Sequence, residues 1–295
     1  MVKMKKNEII IRDPYILLHE GKYYMYGTRS LTTWSKADGF DCYVSDDLQE
    51  WEGPFEVFHK PETFFATEKY WAPECYGYRG AFYILATFAS ESECTQMYIL
   101  KSDSPLGPFK VHSKRVTPEG WACIDGTMYI ENEVPYLIFS HTFEDIRHGE
   151  MCAVQLADDL TEATGEPFKL FEGTDAKWNR PIPFAKEVCG IEEPAYFTDG
   201  PGIIKLKSGK LGMTWSGWGE CGYAIGLAIS DNGTLRGPWR QQDEPVFPLN
   251  GGHGMAFTDK ENNRRFVLHY PDTHFKETPS FRNLIVEDET IRFED

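Results

Sequence analysis

What is scarce in this sequence narrows the field before any motif is read. Basic residues are in the minority: 30 Lys and Arg stand against 46 Asp and Glu, a formal net charge of -16 at pH 7. Nucleic acids and anionic membranes select basic footprints, so neither is an expected partner, whereas a neutral sugar suits this charge. No uninterrupted apolar stretch approaches the ~20 residues a membrane-spanning helix needs. Behind the N-terminal lysines only Ile9-Ile10-Ile11 follow, too short for the apolar core of a signal peptide. The 7 cysteines are scattered with no CxxC pair. That argues against a disulfide framework or a zinc site, and for reduced thiols in a cytoplasm. Helical patterning is also scarce, because Gly or Pro interrupts every candidate amphipathic stretch.

Aromatic residues are plentiful, at 15% of 295, within a hydrophobic fraction of 41%. Both point to strands around a large core, and the length suits one all-β domain spanning residues 1–295. A turn-bearing segment leads five times into an aromatic and aliphatic strand pattern: Ile16–Arg29, Tyr76–Ala89, Met128–His141, Ile203–Ser216 and Ala256–Tyr270. Four of these runs then lead to a strand, a turn and an aromatic, as in Ser45-Asp46-Asp47-Leu48 with Trp51, or Ser230-Asp231-Asn232-Gly233 with Trp239. A repeat of this kind predicts a five-bladed β-propeller with four-stranded antiparallel blades. The last repeat looks short, and the segment Asn7–Ile11 is expected to supply its outer strand and so close the ring.

Just ahead of the five runs stand Asp13 (RDP), Glu74 (WAPE), Asp125 (IDG), Asp199 (TDGP) and His253 (GGHG). Equivalent positions of successive blades converge on the central axis, so four acids and a histidine are expected around one cavity. Such acids suit glycosidic bond cleavage. One carboxylic acid protonates the leaving oxygen, and a carboxylate about 6.5–9.5 Å away activates water on the other face of the sugar. A third carboxylate nearby raises the acid's pKa by repulsion. Each acid also has a plainer reading: Asp-Pro and Asp-Gly-Pro are turn sequences, and a strand-end Asp can cap backbone amides. Trp71, Phe143 and Trp218 are candidate platforms for sugar faces, with Glu74 and His253 further substrate contacts. The run Gly217–Gly222 fits GxGxxG, but a strand and not a helix follows it, so it is no dinucleotide site.

These motifs, in this order, resemble glycoside hydrolase family 43 over nearly the whole chain. The resemblance implies a five-bladed propeller and an inverting, exo-acting hydrolase of α-L-arabinofuranosides, β-D-xylosides or related galactosides, acting on small oligosaccharides. It implies Asp13 as the general base, Asp125 as the residue that tunes and orients the acid, and Asp199 at the acid's position. The family's acid is ordinarily Glu in Glu-Gly-Pro, so Glu193, Glu144 and Glu220 stand as rivals to Asp199. No cofactor is implied, though His253 matches an axial histidine that can lie beside a calcium ion. Two alternatives stay open: a glycoside phosphorylase like those of family 130, with Arg29, Arg180 or Arg282 binding phosphate, and a non-catalytic carbohydrate-binding propeller.

Overall fold

A computed structural model describes residues 3–294. Five antiparallel sheets follow one another along the chain. The first holds β1 (Lys3–Lys5), β2 (Ile11–His19), β3 (Lys22–Arg29), β4 (Gly39–Ser45) and β5 (Glu50–His59). The second holds β6 (Glu68–Tyr78), β7 (Ala81–Ser90), β8 (Glu93–Ser102) and β9 (Lys110–Val111). The third comprises β10 (Cys123–Glu131), β11 (Val134–His141), β12 (Glu150–Gln155) and β13 (Phe168–Glu172). The fourth comprises β14 (Asp199–Lys205), β15 (Leu211–Gly219), β16 (Gly222–Ser230) and β17 (Trp239–Gln241). The fifth comprises β18 (Gly252–Thr258), β19 (Arg264–Tyr270), β20 (Thr278–Val286) and β21 (Ile291–Glu294). The one α-helix among the described residues is α1 (Ala185–Cys189), in the long connection before β14. This is the five-bladed β-propeller that the repeat predicts.

A separate apolar core fills each seam between blades. Phe40, Phe58 and Phe88 fill the first seam, Leu85 and Phe139 the second, Trp178 and Trp215 the third, Phe247 and Phe266 the fourth. Ile11, Met25, Trp51, Val267 and Phe281 join the fifth blade to the first. Each fully buried large side chain contributes about 1.5–3 kcal/mol, so the ring is held chiefly by these seams.

Closure differs from the sequence expectation. The fifth blade makes its own outer strand, with Asn283 opposite Glu294 and Val286 opposite Ile291. The N-terminal strand instead extends blade one, where Met4 faces Trp51. Asn7–Ile11 therefore lends no outer strand to blade five, and Ile11 already opens β2. The Ile11 N–H donates to the Glu277 carbonyl at 3.0 Å, and packing completes the seam.

The first strands of the blades share one register break, and β6 carries a second between Glu68 and Trp71. The shared breaks fall between Arg12 and Tyr15, Trp71 and Glu74, Ile124 and Thr127, Asp199 and Gly202, and Gly252 and Met255. The first residue inside each bulge has positive φ: Asp13 (53°), Ala72 (45°), Asp125 (55°), Gly200 (51°) and His253 (44°). Left-handed backbone costs a non-glycine residue about 1–3 kcal/mol, and bulges re-aim side chains beside functional sites. Here they turn Asp13, Asp125 and His253 toward one another. At Gly200 a Cβ would lie 2.7 Å from the His253 ring, so this position has no room for a side chain.

Candidate active site

A joint between blades holds each bulge. The residue opposite the pre-bulge position is Thr28, Thr87, Ser140, Ser216 or His269 in the five blades. Thr28 accepts the Ala72 N–H at 2.8 Å, Thr87 the Asp125 N–H at 3.0 Å, and Ser216 the His253 N–H at 2.9 Å. At the closing seam, Nδ1 of His269 accepts the Asp13 N–H at 3.2 Å. The Gly200 N–H is the exception, donating to Asp125 Oδ2 at 3.3 Å. Each of these bulge residues thus hangs on the blade before it.

Asp13 and Asp125 flank His253, whose Nδ1 lies 3.3 Å from Asp13 Oδ1 and 3.5 Å from Asp125 Oδ2. The Thr28 hydroxyl donates to Asp13 Oδ2 at 2.6 Å. Asp199 does not occupy the same register. It stands one residue before its bulge and takes the Tyr223 phenol on Oδ2 at 3.1 Å. Glu74 lies two residues beyond the bulge residue Ala72, buried, with its carboxylate bonded by the Tyr76 hydroxyl. That hydroxyl also meets Thr127 Oγ1 at 2.7 Å, so Glu74 ties blade two to blade three.

Burial raises the Asp199 carboxyl to about 7, against the opposing Tyr223 hydrogen bond, with the Asp13 charge adding to the rise. Burial also holds Asp125 well above the ordinary range, reinforced by Asp199 and then Asp13. These two carboxyls titrate as a pair. For Asp13 burial is outweighed by His253, the His269 contact and Arg12, which hold it well below the usual carboxylate range. Burial pushes His253 down to about 4, so near neutrality the ring faces Asp13 uncharged. Arg12 adds a fixed positive charge beside Asp13. Arg12 is fixed by Asp272 at 2.6 Å and Glu277 at 3.0 Å. One carboxylate held ionised and another held protonated, on different blades, form the pair that acid–base cleavage requires.

The aromatic candidates fall into two groups. Trp71 donates its indole N–H to the Thr33 carbonyl at 2.7 Å and meets the Trp34 ring edge-on at 5.3 Å. Trp34, 64% exposed, is the more available face, and Arg12 lies 5.9 Å from its centroid. Phe143 and Trp218 belong to one cluster around Phe197, at 5.3 and 6.4 Å. Phe197 meets Tyr223 edge-on at 6.0 Å, which links this cluster to Asp199. The rival acids are engaged elsewhere: Glu144 with Lys69 at 2.9 Å, Glu193 with Arg147 at 3.7 Å and Glu220 with Arg180 at 3.6 Å. Gly219 and Gly222 pair across the β15–β16 hairpin, as expected of a run that only mimics a dinucleotide motif.

Arg29 is tied to Asp38, Asp41 and Glu56 on blade one, and Arg180 to Glu220. Arg282 bonds Ser280 on β20. Arg29 and Arg180 thus each have carboxylate partners of their own. Calcium takes six to eight oxygen ligands. Among the described residues, His, Cys, Asp and Glu ligand atoms group closely at Asp38–Glu56–His59 and at His148–Glu150–Glu172, both away from His253. Neither group includes His253, whose Nδ1 faces Asp13 and Asp125. A cavity of about 710 Å³ lies at the far ends of β14 and β18 from Asp199 and His253, lined by Lys205, Arg264 and Asn283.

Arg12, Thr28, Trp34, Tyr223, His269, Asp272 and Glu277 are absent from the residues picked out of the sequence. A signal existed for two of them. Thr28 and His269 lie near the end of the second strand of their repeats, where Thr87, Ser140 and Ser216 recur.

The profile of the family described as "Glycosyl hydrolases family 43" matches residues 8–286. No curated protein matches the chain. Among solved structures, an endo-arabinase from Bacteroides thetaiotaomicron is 32% identical, with a TM-score of 0.88 over 97% of this chain and 98% of that one. An endo-1,4-beta-xylanase from the same organism is 23% identical (TM-score 0.76, covering 100% and 97%). An alpha-L-arabinofuranosidase from Lactobacillus brevis is 16% identical (TM-score 0.74, covering 98% and 97%). The last two likenesses speak for the fold alone.

Proposed function

The chain belongs to glycosyl hydrolases family 43, and on that premise we propose that it is an inverting hydrolase of α-L-arabinofuranosyl linkages in oligosaccharides. The observation that carries the reading is the axial trio, with Asp13 held ionised while Asp125 and Asp199 are pushed upward. Asp13 takes a proton from water as its oxygen attacks the anomeric carbon. Asp199 gives its proton to the departing glycosidic oxygen, burial and the Asp13 charge keeping that proton in place until then, with Asp125 beside it as the second raised carboxyl. Arabinose is favoured over xylose or galactose by the 32% identical endo-arabinase. That neighbour also favours a second mode of action, internal cleavage of arabinan, beside the exo action expected from the sequence. The seven free cysteines, three of them exposed, support a reducing cytoplasm as the place of action.

The test is a panel of nitrophenyl α-L-arabinofuranoside, β-D-xyloside and β-D-galactoside, with linear arabinan, each with and without phosphate and a chelator. Release from the arabinofuranoside that is indifferent to both additives is expected. Strict phosphate dependence would make the protein a phosphorylase, and arabinan cut to oligomers before monomer would make the action internal. Silence on every substrate, with calorimetric sugar binding, would make it a binding propeller.

The pH profile follows from the two shifts. Asp199 must be protonated to act, so kcat/KM falls as pH rises through about 7. Asp13 is held below the ordinary range and stays ionised, so it sets no acid limb between pH 5 and 7. A profile still rising from pH 7 to 9 would remove Asp199 from the acid's role.

A further inference from the structure

Tyr223 is the one side chain that hydrogen-bonds Asp199 among the described residues, and its own position is unusually fixed. It is buried at the start of β16, with its N–H on Asn250 Oδ1 at 3.2 Å. Its ring stacks on His269 at 5.7 Å with 11° between planes, and Phe197 meets it edge-on at 6.0 Å. Gly252 leaves the remaining room, since a Cβ there would lie 2.6 Å from the ring. His269, fully buried, takes the backbone N–H of Asp13 on Nδ1, while its Nε2 lies 3.3 Å from Asp272. One stacked pair therefore touches the acid with one ring and the base's backbone with the other.

We propose that Tyr223 is a positioning residue that dictates which oxygen of Asp199 carries the catalytic proton, with His269 holding it at a set distance from Asp13. The proposal rests on the reading of Asp199 as general acid. A phenol fixed as donor to Oδ2 makes that oxygen the acceptor of the carboxyl group, so the proton sits on Oδ1. Burial and the neighbouring carboxylates hold the Tyr223 phenol well above its usual range, so it remains a donor wherever the enzyme works. Without it the proton is free to occupy either oxygen, and only one of them serves the leaving group.

The experiment compares wild type, Tyr223→Phe and Asp199→Asn on two arabinofuranosides, one with a dinitrophenyl and one with a methyl leaving group. Dinitrophenolate departs without protonation, whereas methoxide does not. Tyr223→Phe is expected to lower kcat on the methyl substrate about 10- to 100-fold, part of the 10²–10⁴ that general acid catalysis supplies. Its kcat on the dinitrophenyl substrate should change less than about threefold, within that same estimate. The alkaline limb should also move to higher pH, because the lost hydrogen bond favoured the ionised acid. Equal losses on both substrates, or an unmoved limb with unchanged rates, would overturn the proposal. Unfolding is monitored by melting temperature and would lower both rates alike. Asp199→Asn separates the two readings: if it shows no leaving-group selectivity, the acid assignment fails whatever Tyr223 does.

Discussion

Asp13→Asn lowers kcat on an arabinofuranoside by about 10²–10⁴-fold and leaves the melting temperature near that of wild type. The substitution removes the charge that accepts water's proton and little else. The Asn carbonyl can still take the Thr28 hydroxyl that Oδ2 takes at 2.6 Å. Its amide can face His253 Nδ1, now 3.3 Å from Oδ1, because the neutral ring can present either tautomer there. Asparagine also tolerates the φ of 53° at this position better than most residues. The joint to His269 is made by the backbone N–H and survives. Steady-state rates and a melting curve check both halves, and a variant within threefold of wild type would transfer the base role elsewhere.

Arg12→Met is the counterpart for stability. Arg12 is the cation for Glu277, which is 0% exposed, and for Asp272, and all three lie at the seam between blades five and one. Removing one partner of a buried ion pair costs about 3–5 kcal/mol, because the other charge stays behind without compensation. At roughly 2–4 °C per kcal/mol, the melting temperature should fall by roughly 6–20 °C. Activity should fall too, since Arg12 helps hold Asp13 ionised. The double variant Arg12→Met with Glu277→Met should regain a good part of the loss, because the fully buried one of the two orphaned carboxylates is gone. A single variant that melts with wild type would show that the pair contributes nothing.

The propeller was legible because five copies of one pattern must take one shape, and aromatic-rich strands bracketed by Asp, Gly and Pro turns leave little choice. The ring closure was misread. Asn7–Ile11 is strand-like, but sequence alone does not say which edge a strand will join, and blade five already had Ile291–Glu294 for its own. The acids were legible by their place ahead of each repeat, yet not their register. Asp13, Asp125 and His253 are equivalent bulge residues, whereas Asp199 precedes its bulge and Glu74 follows its own, so their side chains leave the strand differently. The supporting shell was harder. Tyr223, Asp272 and Glu277 act through partners 24 to 265 residues away in sequence, and no local pattern encodes such pairing.

The manner of closure bears on how such an enzyme ages under heat. Where one strand is shared between the two ends of a chain, the last joint is as tough as a β-ladder. Here blade five and blade one meet through the Ile11 bond to Glu277, an apolar core and the ion pairs of Arg12. Asp13, the proposed base, sits on that same joint, with its backbone held by His269 from the opposite side. Slight parting at this seam would displace Asp13 while every blade kept its strands. Loss of activity on heating is therefore expected to come before loss of strand structure.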